Sequence, residues 1–193
     1  PRSGEPPATR GLSALRPEEN GAPCGDRSGC PPGAHACSPR TGRCVALASP
    51  DCEVLADDRA LERGDTLWVG SVFPLTGPEA DDFGRSNAHA VELARRELTD
   101  MHRGLPAARP LGVVSCNDSE RGARAAEHLA TAGVVPAVIG FRSGVEAIEL
   151  ASTWFIPHGV LSFSATSTNP LLTRLPHPPG VPRLVFRTTY SSA

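Results

Sequence analysis

From Thr66 onward the chain alternates short apolar runs with Ala-rich amphipathic stretches, and few folds accept that alternation. "TLWVGSVF", "RPLGVVSCND", "VPAVIG", "HGVLSF" and "PRLVFRTT" are brief, rich in β-branched and aromatic residues, and bounded by Pro, Gly or polar clusters. They read as five strands. Three helices are expected between the first four of them. In "RSNAHAVELARRELTDM", Ala88, Val91, Ala94, Leu98 and Met101 recur at helical spacing. In "SERGARAAEHLATAG", Ser119 stands where an N-cap belongs and Gly133 where a C-cap belongs. In "SGVEAIELASTWF", Val145, Ile148 and Ser152 or Phe155 share one face. Strand–helix alternation of this kind predicts an α/β fold, a parallel sheet covered on both faces. Right-handed crossovers make it a three-layer, doubly wound domain.

Ligands of doubly wound sheets sit at the carboxyl ends of the strands, beside the point where strand order reverses. The loops after strands one, three and four are "PLTGPEADDFG", "FRSG" and "SATSTN". All three carry hydroxyls or glycine, and the rule places them on one rim. An ordinary surface turn explains any one of them, but their convergence favours a rim that binds something small. Ser143 begins the third helix, where backbone N–H groups lack intrahelical partners and can meet an anion. Plain N-capping is its other role, and the two can coexist.

Upstream of Thr66 the texture differs. Residues 1–22 are rich in Pro, Gly and charge without apolar periodicity, which predicts a disordered tether. Five of the six cysteines lie between Cys24 and Cys52 in a segment with almost no large apolar residue. Such a segment holds a shape only when covalently stapled. It has no C-x-x-C pair, which argues against zinc, and a disulfide framework implies an oxidising compartment. Four cysteines allow three connectivities. Loops of similar size suit the interleaved choice, Cys24 with Cys37 and Cys30 with Cys44. Cys52 is then left with Cys116, and the 13 residues between Cys52 and Thr66 can span roughly 40 Å. Residues 53–65 read as a connector with one helical turn. The expected organisation is therefore a tether (1–22), a Cys-rich segment (23–52) and an α/β lobe (66–193).

Several chemistries are absent from the sequence. All 19 basic residues are Arg, so no Walker lysine or Schiff base is available. No nucleophile elbow or dinucleotide-binding fingerprint occurs, so no cofactor is expected. The six histidines are scattered, none pairing at metal-ligand spacing, and are expected to be solvated or capping. Adjacent Asp81 and Asp82 read as a solvated pair, and Asn117-Asp118 as ordinary loop residues. A net charge of −2 gives no electrostatic case for nucleic acid or an anionic membrane. No apolar run reaches the length of a transmembrane helix. The chain starts at Pro1 without an apolar leader, so it is expected to be a mature or trimmed product.

"VGSVFPLTGPEADDFGRSNAHAVELARREL", "AVIGFRSGVEAIELAS", "GVLSFSATSTNPLLT" and "VFRTT" follow one another in that order. Together they resemble the amino-terminal lobe of type I periplasmic solute-binding proteins, in the branched-chain amino acid branch. The resemblance covers about Thr66 to Ala193, and the Cys-rich leader resembles that of lipoprotein-type members from myxobacteria. It implies two lobes clamping a ligand, of which this chain carries one, stopping about where the first hinge crossing begins. It implies that the loops of Ser143 and of Ser164, Ala165 and Thr166 hold an amino acid's carboxylate, while Thr76 and Phe83 pack beside the ligand. Members commonly carry Ser-Ser-Gly after strand three; "GFRSG" departs from this, and Arg142 becomes a further candidate to reach an anion.

The expected function is non-enzymatic: an exported, periplasmic or extracellular binding component, with a possible lipid anchor upstream. It would hold an amino acid or similar small carboxylate for the permease of an ABC-type importer. The alternative is a ligand-sensing or cell-surface interaction module of the same fold without transport. A flavodoxin-like enzyme is a third and weaker reading.

Overall fold

The computed structural model describes residues 21–25, 29–31, 33–102, 109–175, 177, 180 and 182–192. The chain forms β1 (His35–Ser38), β2 (Arg43–Ala46), β3 (Cys52–Leu55), α1 (Asp58–Glu62) and β4 (Leu67–Phe73). There follow α2 (Arg85–His102), β5 (Leu111–Asn117), α3 (Gly122–Thr131) and β6 (Ala137–Gly140). The remainder is α4 (Gly144–Leu150), α5 (Ile156–His158), β7 (Leu161–Ser164) and β8 (Val185–Arg187). A π-turn over Ala80–Gly84 leads into α2, and another over Ala151–Phe155 joins α4 to α5.

Six strands make the main sheet in the order β3-β5-β4-β6-β7-β8, all neighbours parallel except β3, which runs antiparallel to β5. The five strands expected from Thr66 onward are present. β3 is an addition: Cys52 was expected to end the Cys-rich segment and residues 53–55 to belong to a connector, and together they close the edge beside β5. Covering an edge removes a row of unpaired backbone groups from solvent.

The two sheet faces are unequal. Even-numbered strand residues such as Trp68, Val72, Val114 and Val138, with Val185 of β8 opposite Ser162, join Leu129, Leu150 and Phe155 in one buried cluster under α3, α4 and the second π-turn. The opposite face is covered by α2 over β4 and β5. Over β6, β7 and β8 it presents Ile139, Leu161, Phe163 and Phe186, half-buried or exposed, with Phe163 stacked on Phe186 at 5.9 Å between ring centres. Cover on both faces is thus complete only at the β4–β5 end among the described residues.

Two helices turn a different side inward than their apolar spacing predicts. In α2, Ala88 and Val91 are half-buried as expected, but Ala94 and Leu98 are exposed and Arg95 is buried. The guanidinium of Arg95 is satisfied by both carboxylate oxygens of Glu92, at 2.6 and 2.8 Å, which lets a charged residue occupy the inner face. Met101 lies outside the described side chains. In α4 and its continuation the expected Phe155 is buried and Ile148 packs half-buried against the core, but Val145 and Ser152 are exposed and Ala147, Leu150 and Ala151 take the inner positions. Small alanines bring that helix close to the sheet. Ser119 does not cap α3, whose N-cap position is Arg121; Gly133 stands just past its end with φ 69°.

The leader is fastened to the lobe. Disulfides join Cys24 to Cys37, Cys30 to Cys44 and Cys52 to Cys116. Residues 1–20 of the expected tether lie outside the described residues, whereas Gly21 and Ala22 exchange backbone hydrogen bonds with Cys44. Leu47 is buried in the main cluster, and its carbonyl sits 2.8 Å from Nε2 of His128, a histidine expected to be solvated or capping. His35 is likewise buried, within β1. The backbone of Asp51 accepts from Asn117 N–H at 2.8 Å, and its carboxylate lies 3.4 Å from Arg124.

Candidate functional site

Strand order reverses beside β4: the chain passes from β4 to β5 on one side and then to β6 on the other. Val72, Gly140, Ser164 and Arg187 lie in register across β4, β6, β7 and β8, and Phe73 pairs with Asn117 of β5. Neighbouring strands are about 4.8 Å apart, so the loops after β4 and β7 leave the sheet within about 10 Å of each other. Thr76, Arg142, Ser143, Ala165 and Thr166 all follow this carboxyl edge.

The loop after β4 is laced to the end of β5. Leu75 N–H donates to Asn117 Oδ1 at 2.9 Å, and Asn117 Nδ2 donates to Thr76 Oγ1 at 3.0 Å. Ser119, freed from capping, accepts from Thr76 N–H at 3.1 Å and sits 2.8 Å from the Thr76 carbonyl. Phe83 is half-buried and packs edge-on to Phe73 with ring centres 6.1 Å apart.

The loop after β6 turns through strained backbone. A Cβ on Gly140 would lie 2.2 Å from the Val72 carbonyl oxygen, so only glycine fits. Phe141 follows with φ 77°, a left-handed conformation costly for a bulky residue. It is held there by a backbone hydrogen bond to Val72 (2.9 Å) and by burial of its ring against Phe155. The turn delivers Arg142 and Ser143 to the rim. Ser143 Oγ accepts from Glu146 N–H at 3.2 Å, and Glu146 reaches back to accept from Arg142 N–H at 2.8 Å. That reciprocal cap leaves the first amides of α4, Gly144 and Val145, with no carbonyl a turn earlier to bond.

The loop after β7 rests on the start of α4. Ser164 is fully buried, and its Oγ accepts from Ser167 N–H at 3.2 Å. Ser167 is buried too, and a Cβ on Gly144 would lie 2.5 Å from its Oγ. Ser167 and Gly144 are thus the contact that joins the two loops, and neither was singled out by residue type. Ala165 is half-buried and Thr166 exposed. Arg187 fixes the far side of this loop by donating to the Asn169 carbonyl at 2.7 Å and to Thr173 Oγ1.

Two charged features shape the rim. Arg142 lies between carboxylates, 3.5 Å from Glu79 and 3.7 Å from Glu146, so it ties the β4 loop to the β6 loop. Asp118, at the end of β5, is 2% exposed, and neither carboxyl oxygen meets a donor among the described residues. Burial and then the charge of Glu146 push its pKa up to about 7, with Arg142 pulling the other way. Asp118, Ser143, Glu146 and Glu149 line a pocket of about 240 Å³ beside the rim. A buried loop carboxyl has no signature in sequence, and Asp118 read as an ordinary loop residue.

No family model and no curated protein matches the chain. Among solved structures it is similar to an ABC transporter substrate-binding protein from Desulfitobacterium hafniense in complex with Leu. Identity there is 28% and the TM-score 0.53, over 65% of this chain and 35% of that one. A putative branched-chain amino acid ABC transporter from Rhodospirillum rubrum gives 23% identity and 0.53, over 65% and 34%. The branched-chain amino acid transporter substrate-binding protein of Streptococcus pneumoniae, in complex with isoleucine, gives 21% and 0.52, again over 65% and 34%. This chain spans about a third of the length of these proteins. Its mostly parallel sheet and flanking helices have the fold of type I periplasmic binding proteins.

Proposed function

We propose that this chain is one ligand-gripping lobe of an extracytoplasmic solute-binding protein that delivers an amino acid or similar small carboxylate to the permease of an ABC-type importer. The observation that carries the reading is the junction of loops at the strand-order reversal, where Ser143 and the start of α4 meet the Ser164–Ser167 turn. A carboxylate there is met by the Gly144 and Val145 amides and by the hydroxyls of Ser143 and Thr166. Ser164, being buried, holds the turn that presents Ala165 and Thr166. Arg142 braces two loops, so it orients the rim and does not grip the anion itself. Thr76 and Phe83 flank the ligand's side. The solved neighbours with Leu and isoleucine in their complexes support an aliphatic amino acid.

Titration calorimetry with leucine, isoleucine, serine and acetate tests this. One lobe covers one side of a small ligand, so affinity for leucine near millimolar is expected, worth about 4 kcal/mol. Ser143→Ala should weaken it at least threefold. Equal weak heats from every solute, unchanged by Ser143→Ala, would remove the assignment.

A further inference from the structure

A cavity of about 400 Å³ lies at the opposite, amino edge of the sheet, between the disulfide-stapled hairpin and the lobe. Ala36 and Arg40 contribute from the hairpin, and Trp68, Arg109, Val134 and Val160 from the lobe. That volume equals roughly a dozen waters, within the range of small-molecule sites. Its walls combine apolar side chains such as Ala36, Trp68, Val134 and Val160 with polar Thr66, His158 and the two arginines.

Arg40 and Arg109 both line this cavity. Arg40 lays its stem against Gly133, and its head makes one long bond, 3.4 Å, to the His158 carbonyl. Arg109 donates Nε to the Asp65 carbonyl at 2.9 Å. The nearby Asp65 carboxylate is already gripped by Arg63 through two bonds of 2.7 and 2.8 Å. Among the described residues, neither Arg40 nor Arg109 has a carboxylate within ion-pair distance. Two arginines among the lining of a partly apolar space suit a ligand that brings both an apolar body and a negative charge.

We propose that this cavity is a second small-molecule site, which takes an amphipathic carboxylate with an aromatic or branched body of about a dozen non-hydrogen atoms. It is independent of the rim at the other edge. An occupant touches hairpin and lobe together, so it also strengthens the seating of the leader.

The test uses 4-phenylbutyrate and its neutral isostere 4-phenylbutyramide, titrated against the whole chain and followed by the two tryptophan indole N–H resonances. A Trp154→Phe variant assigns the Trp68 signal. The carboxylate should bind at least tenfold tighter than the amide and shift the Trp68 resonance. Arg40→Gln combined with Arg109→Gln should bring acid and amide within about twofold of each other. The single variants provide the same comparison if the double one misfolds. Equal affinity for acid and amide in the native chain, no binding by either, or a stationary Trp68 signal would each overturn the proposal. So would discrimination that survives loss of both arginines.

Discussion

Replacing Asp118 with Asn should make the protein more stable at alkaline pH, although the position is buried. The carboxyl is 2% exposed and meets no hydrogen-bond donor among the described residues; the groups facing it are Glu146, Arg142 and, further off, Glu79. Its pKa is about 7 folded against an ordinary value of 3.8, so the native state holds a proton that the unfolded chain releases. The associated stability is fully present below about pH 4 and is lost as pH rises through 7. A displacement of about three pH units is worth about 4 kcal/mol. Water entry and side-chain relaxation lower the expected cost to about 2–3 kcal/mol, since buried groups adjust to ionisation. Asn keeps the shape and removes the charge. Urea unfolding at pH 4 and pH 8, disulfides intact, should therefore show Asp118→Asn within about 1 kcal/mol of the parent at the lower pH. At the higher pH it should be more stable by about 2–3 kcal/mol, a melting shift of roughly 4–12 °C at this chain length. An Asn variant less stable at pH 8, or one with the parent's full pH dependence, would refute the reasoning.

Three further outcomes follow from the same structure. Replacing Cys52 and Cys116 together with Ser should cost about 4 kcal/mol in urea unfolding, because the bridge closes a sequence separation of 64 residues. Gly140→Ala should cost at least about 2 kcal/mol and broaden the amide signals of the 141–144 loop, since the new Cβ meets the Val72 carbonyl in a backbone alanine avoids. Ser143→Ala should lower stability by about 1 kcal/mol through loss of the cap, and Ser143→Asn should restore it.

The sequence disclosed what depends on local period and punctuation. Apolar runs ended by Pro74 or by the polar cluster after Ser164 marked the strands, and the order of elements implied where the loops would gather. Cysteine spacing suggested the three pairs that the structure contains. What escaped was decided by tertiary contact. Cys52–Leu55 is four residues long and includes Glu53, so nothing local marks it as a strand; β5 and the Cys116 bridge make it one. The inner face of α2 hid behind Arg95, whose burial depends on Glu92 lying one turn before it. In α4, alanines that pack closely carry no strong apolar signal.

The candidate site divides along the same line. Hydroxyl-rich loops after β4, β6 and β7 were legible as residue types, and strand order explains why they share an edge. The Ser167–Gly144 contact, the buried state of Ser164 and the neutral tendency of Asp118 arise only when the loops meet. Arg142 shows the limit most clearly: an arginine in a binding loop suggests an anion, but Glu79 and Glu146 already stand beside it.

The most direct test of a ligand-binding rim is an amide chemical-shift map of the whole chain titrated with isoleucine to about 20 mM, several times the millimolar level expected of one lobe. The account predicts saturating shifts at Ser143–Val145 and Ala165–Ser167, smaller ones at Thr76 and Phe83, and still signals in the leader hairpin. Shifts confined to other surfaces, or none at 20 mM, would contradict it.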